Sequence, residues 1–117
     1  MKKYLFITAL IFSSHPTFPQ KVYEVKYSSQ ADLKIIAVNY ESQADLKVYC
    51  VSYSSQANKD GLWFPVKYES QADIKIYFVE YESQADLKIY YVKYESQAGW
   101  RNEKKVHLLK RFGASKY

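Results

Sequence analysis

A chain of 117 residues with a formal charge of +5 has room for one domain. Thirteen Tyr, six Phe and two Trp against only three Gly and three Pro argue against disorder and favour sheet, because aromatic side chains fit a pleated, half-buried surface. The charge is uneven: residues 20–98 hold nine lysines against eleven carboxylates, a net of −2, and residues 99–117 hold six basic side chains against Glu103, a net of +5. That division leaves no basic groove for nucleic acid.

Residues 1–19 read as a signal peptide. Lys2 and Lys3 form a charged start, residues 4–12 an apolar run, and the exit is polar with Pro16 and Pro19. Nine apolar residues are too few for a bilayer, which takes about 20. No Ala-x-Ala marks the cleavage end, and a hydrophobic N-terminal strand or anchor is the alternative. The expectation is export to the periplasm, the outer envelope or the medium, with no transmembrane span in the mature chain. Cys50 is the single cysteine, so no intrachain disulfide bears on the compartment.

Residues 20–109 form the predicted domain, and one phrase fills it: Tyr-Glu-Ser-Gln-Ala-Asp-Leu-Lys-Ile-Tyr-x-Val-x. Six copies start at Tyr27, Tyr40, Tyr53, Tyr68, Tyr81 and Tyr94, in steps of 13, 13, 15, 13 and 13 residues. A half copy over residues 21–26 precedes them and reads as an integral first strand. Segments such as residues 75–81 and 88–94 are strand-like, and Glu82-Ser83-Gln84-Ala85-Asp86 between them is a polar bend. Lys88, Tyr90 and Val92 share one face and Leu87, Ile89 and Tyr91 the other; apolar residues on both predict strands covered on both sides. Thirteen is odd and strands alternate with period two, so the bend must reset the direction in every copy. Thirteen residues also leave no room for a strand, a helix and two connections. The predicted fold is all-β, a compact closed arrangement of six 13-residue strand–turn repeats.

The third copy departs. Asn58-Lys59-Asp60-Gly61 makes it two residues longer, Asp60-Gly61 signals a turn, and Pro65 suits an edge or bulge. This is a longer loop at a topological seam, at the midpoint of the six copies. The last copy breaks at Gly99-Trp100-Arg101-Asn102. Residues 105–109 follow as a closing strand, or alternatively a short helix, and residues 110–117 as a mobile basic tail.

The tandem Tyr-Glu-Ser-Gln-Ala-Asp-Leu-Lys-Val-Tyr phrase, the Asp60-Gly61-Leu62-Trp63-Phe64 interruption and the Ala98-Gly99-Trp100 ending resemble the 7(1) septoil knot domain family over about residues 21–109. The resemblance implies a small bacterial protein, a compact β-rich monomer whose backbone forms a deep torus knot of seven crossings, and no particular activity. The chain departs from the phrase at Ser28 and Ser54 (Ser for Glu), at Ile36 (for Tyr) and at Cys50, in a slot filled by Phe78 or Tyr91 elsewhere.

The bend pairs Ser42-Gln43, Ser70-Gln71, Ser83-Gln84 and Ser96-Gln97 are read as structural, hydrogen-bonding backbone groups where the chain turns. A polar ring binding a glycan or peptide is the alternative. Asp45, Asp73 and Asp86, with Glu41, Glu69, Glu82 and Glu95, are assigned to ion pairs with Lys47, Lys75 and Lys88; no calcium-loop pattern is present. His107 is the only histidine after residue 15, and no nucleophile elbow, zinc spacing or phosphate loop occurs. Cys50 is expected to be a small buried thiol, and the tyrosines to serve packing between strands. Trp63 and Trp100, outside the regular phrase, are the candidates for exposed, ligand-stacking aromatics. The expectation is a non-catalytic, exported, mechanically and proteolytically robust module without cofactor, metal or known partner. An envelope glycan- or peptide-binding protein is the alternative.

Overall fold

The computed structural model describes residues 20–114, with side chains through Lys110; the signal-peptide reading and the last three residues lie outside the described residues. Six short strands, β1 (Gln20–Glu24), β2 (Leu33–Ala37), β3 (Leu46–Cys50), β4 (Leu62–Pro65), β5 (Ile74–Phe78) and β6 (Leu87–Tyr91), are each followed by a 3₁₀ turn. These turns are Ser28–Gln30, Glu41–Gln43, Ser54–Gln56, Glu69–Gln71, Glu82–Gln84 and Glu95–Gln97. A two-residue strand β7 (Gly99–Trp100), a 3₁₀ turn Glu103–Lys105 and a helix α1 (His107–Ala114) complete the order. The predicted polar bends are thus 3₁₀ turns. The closing segment is helix, not strand, and α1 includes residues 110–114, which the sequence assigned to the tail.

Every pairing among β1–β6 is parallel, and the order β4-β1-β5-β2-β6-β3 closes on itself through β3–β4. The result is a six-stranded parallel barrel. Parallel strands normally need a crossover of a dozen or more residues; here the connection is eight, as from Val79 to Asp86. Eight residues suffice because a five-residue strand is only about 17 Å long, while five extended residues and one 3₁₀ turn reach about 22 Å. Each strand therefore climbs the inner wall and each connection returns over the outside as an arm.

Successive strands are not neighbours. Each of the steps β1–β2–β3 skips one place, and β5 and β6 then enter the skipped places, between β1 and β2 and between β2 and β3. Only the step from β3 to β4 joins adjacent strands, and it is the longer third copy, so the sequence seam is also the topological one. The chain circles the barrel twice, the second circuit laid between strands of the first.

The register is strongly staggered. β2 pairs Leu33–Ile35 with β5 and Ile35–Ala37 with β6, and β1 divides itself likewise between β4 and β5. Inward positions fall at the first and third residues of the strands: Leu33 and Ile35, Leu46 and Val48, Ile74 and Ile76, Leu87 and Ile89, all nearly free of solvent contact. On β4 the core position is held by Trp63, and Leu109 of α1 joins the same cluster. The opposite face of the strands, with Lys88, Tyr90 and Val92, is half-buried under the arms, so covering is two-sided but complete only inside. A smaller cluster of Val51, Ala57, Leu62 and Ala98 packs between wall and arms at the seam.

Candidate functional site

The phrase's aspartates bracket backbone. Where a strand begins, its neighbour has already run on, and the exposed main chain of the neighbour's lysine is held by the preceding Asp. Asp86 accepts the Lys34 N–H at 2.9 Å and donates its own N–H to the Lys34 carbonyl at 2.6 Å. Asp73 does the same for Lys21, Asp32 for Lys75 and Asp45 for Lys88. The assignment of Asp45 and Asp86 to lysine ammonium groups is therefore corrected: their carboxylates, like that of Asp73, accept main-chain donors that the stagger leaves unpaired. The glutamates do pair, Glu41 with Lys47, Glu69 with Lys75 and Glu82 with Lys88, at 3.5–3.9 Å on the outer surface.

The first described residue, the midpoint of the repeats and the end of the last copy meet at the seam. Gln20, buried, donates from Nε2 to Asp60 Oδ1 and accepts the Gly61 N–H at 3.3 Å. Trp100 Nε1 donates to Asp60 Oδ2 at 2.7 Å, and Lys59 Nζ to the Ala98 carbonyl at 3.1 Å. Asp45 holds the end again: its carbonyl accepts the N–H of Arg101 and of Asn102, and its carboxylate accepts Asn102 Nδ2 at 3.0 Å.

The tryptophans are not the exposed aromatics. Trp63 is 2% exposed within the barrel, because β4 fills its share of the interior with one large ring, and its indole N–H has no partner among the described residues. Trp100 is half-buried and tied to Asp60. The most exposed aromatics among the described residues are instead the six tyrosines that open the copies, Tyr27, Tyr40, Tyr53, Tyr68, Tyr81 and Tyr94, each 63–69% exposed. They stand just before the 3₁₀ turns on the arms, where extended backbone (φ between −122° and −133°) turns the ring outward. The expectation that tyrosines mainly pack between strands fails at these six positions.

At each bend the Gln N–H donates to the Tyr carbonyl two residues before the Ser at 3.0–3.1 Å, closing the turn through main chain. Gln56 and Gln97 also reach back, their Oε1 accepting the N–H of Tyr53 and Tyr94. Ser42, Gln43, Ser70, Gln71, Ser83, Gln84, Ser96 and Gln97 all lie exposed on the arms.

Among the described residues, open grooves run between arms on the outer surface, two of them sizeable. The larger, about 760 Å³, is lined by Ser28, Lys34, Tyr77, Glu80, Ser83 and Gln84; the smaller, about 410 Å³, by Lys21, Ser54, Phe64, Ser70 and Gln71. Their floors and Ser-Gln walls are repeat-equivalent.

Matching the chain to known families gives one result: the profile of the 7(1) septoil knot domain covers residues 19–101. The chain belongs to the 7(1) septoil knot domain family. No curated protein and no solved structure matches it. The septoil knot domain match ends at Arg101, so the three sequence landmarks lie within it and α1 lies beyond. In this septoil knot domain Cys50 is exposed, not buried, since the fifth strand residue lies past the last inward position, where Glu24, Ala37 and Tyr91 are exposed too. Partial burial raises the Cys50 thiol above its ordinary value, and raises Tyr91 beside it through burial first and then the Cys50 and Glu24 charges. His107 is exposed with Nδ1 3.1 Å from the Lys104 carbonyl, near the strand starts; Cys50 ends β3 at the other rim. Among the described residues no three of His, Cys, Asp or Glu gather as a metal site, and no helix is long and apolar enough to cross a membrane.

Proposed function

We propose that the chain is a non-catalytic, exported module whose fold serves persistence under mechanical and proteolytic stress. The observation that carries this reading is the interleaving of two circuits: every one of β1–β6 is paired on both sides, and β5 and β6 each lie between two strands of the first circuit. No strand can leave until a strand laid down on the other circuit has moved, which places a high barrier before unfolding and makes stability a matter of rate. A closed barrel also leaves no long free strand edge for self-pairing, which favours a monomer. The separation of Cys50 from His107 and the elevated thiol value give no activated nucleophile, in keeping with a non-enzymatic role.

Pulse proteolysis after transfer of the purified chain to urea tests this. Unfolding half-lives of hours or more in dilute urea are expected, and rapid internal cleavage of the repeats under native conditions would overturn it. A second reading, an envelope glycan- or peptide-binding protein, is favoured by one observation, the six outward tyrosines. Each ring offers an apolar face for stacking and a hydroxyl that donates and accepts, the combination that suits a sugar or peptide ligand.

A further inference from the structure

Deepening that binding reading, on which it rests, we propose that the grooves at Ser28 and Ser54 are two subsites for a neutral, linear oligosaccharide. The phrase has Glu at its second position in four of the six copies, and Ser only at Ser28 and Ser54. Those two serines line the two grooves. In the copies that lead into β3, β5 and β6 the Glu is kept on the arm and pairs with the strand lysine six residues on, as in Glu41–Lys47. Lys34 has Ser28 at that spacing, so the space a glutamate fills elsewhere is open, with the lysine on its floor.

The lining fits a sugar. Serine hydroxyls and glutamine amides both donate and accept, as sugar hydroxyls do, and Tyr77 and Phe64 supply aromatic surface at corresponding strand positions. Tyr81 directly follows Glu80, a lining residue of the larger groove, and is exposed. Charge is balanced, Lys34 with Glu80 in one groove and Lys21 with Asp73 in the other, which suits an uncharged ligand over an acidic one. An extended peptide is disfavoured, because strand addition needs an open sheet edge and β1–β6 have closed theirs. The grooves lie over β4/β1 and β5/β2, consecutive pairs around the barrel, so one linear ligand following the circumference meets both. Volumes of about 410 and 760 Å³ are within the range of about 300–1,000 Å³ usual for ligand sites.

The decisive variants restore the phrase: Ser28→Glu and Ser54→Glu, changes that sister copies carry within the same fold. The full chain is titrated by calorimetry with neutral linear hexasaccharides (β-1,4-glucan, β-1,4-xylan, β-1,4-mannan and β-1,3-glucan) and with an unstructured decapeptide mixture. Saturable binding of at least one hexasaccharide is expected, weakened tenfold or more by each substitution and by Tyr81→Ala, with the unfolding rate unchanged. Sugar binding indifferent to both Ser→Glu variants overturns the subsites while leaving the binding reading standing. Binding of the peptides alone, or of nothing, overturns the proposal, and the pulse-proteolysis result separately decides the persistence of the fold.

Discussion

Gly61 shows how a single position can be fixed by backbone alone. Its φ is +98°, and a Cβ there would sit 2.6 Å from the Lys47 carbonyl oxygen and 3.0 Å from the Gly99 nitrogen. Gly61→Ala is expected to cost about 2–4 kcal/mol, combining the left-handed penalty with displacement of β3 or β7, measured by equilibrium urea unfolding. Cys50 offers a pH-dependent readout. With its thiol value raised, less thiolate is present at any given pH, so alkylation by iodoacetamide should be slower than for a free cysteine peptide at pH 8. The midpoint of its rate–pH profile should lie above that of the peptide. The same sign governs stability: a folded value above the unfolded one means that Cys50 and Tyr91 withdraw support as pH rises past roughly 8.5–10. At this scale the sequence was least legible. A carboxylate in a repeat announces charge but not whether its partner is an ammonium or a stranded N–H, which is why the brackets made by Asp45 and Asp86 were missed. Trp63 and Tyr81 mislead in opposite directions, because position relative to the inward strand residues, not aromatic character, decides exposure.

Among elements, the arms and α1 divide the work of closure. The inward alternation of Leu87 and Ile89 was readable from the 13-residue phrase, as was the need for a bend that resets it, since both follow from side-chain geometry within one copy. The 3₁₀ form of the bend was not, because three small polar residues suit several turns equally. Nor was α1, for the period stops at Trp100 and Leu108-Leu109 fits a strand as well as a helix. The Leu109 side chain joins the core cluster that holds Leu46 and Ile89, while Lys105 Nζ donates to the Asp86 carbonyl at 2.9 Å. Leu109→Ala is expected to cost about 2–4 kcal/mol in urea unfolding. Glu82→Ala, which removes an ion pair whose carboxylate side chain is more than half exposed, should cost under about 1 kcal/mol. A larger loss for the second than the first would mean that the arms, not the interior, hold the barrel.

For the whole molecule, pairing each strand with members of the other circuit leaves no subset of repeats that is complete alone. Native-state hydrogen exchange should therefore find one shared opening free energy for strand amides of β1–β6, with faster exchange confined to the exposed bends. Strand order was the part of the fold that six near-identical copies hide, since any copy fits beside any other; only the seam at Asp60-Gly61 betrayed that one junction differs.

That seam answers a counting problem. Moving two places at a time around a ring of six returns the chain to β1 after three strands, where the site is already taken. One shorter move, from β3 to the adjacent β4, shifts the second lap onto the vacant places. A ring with an odd number of strands would need no such correction, since steps of two visit every place before repeating, and it could be written as one uninterrupted repeat. A ring of eight would need the irregular junction again, at its fourth copy. The two additional residues of the third copy are thus the arithmetic signature of an even-membered ring, and copies could be added to or lost from this architecture only where parity is kept or the seam is rewritten.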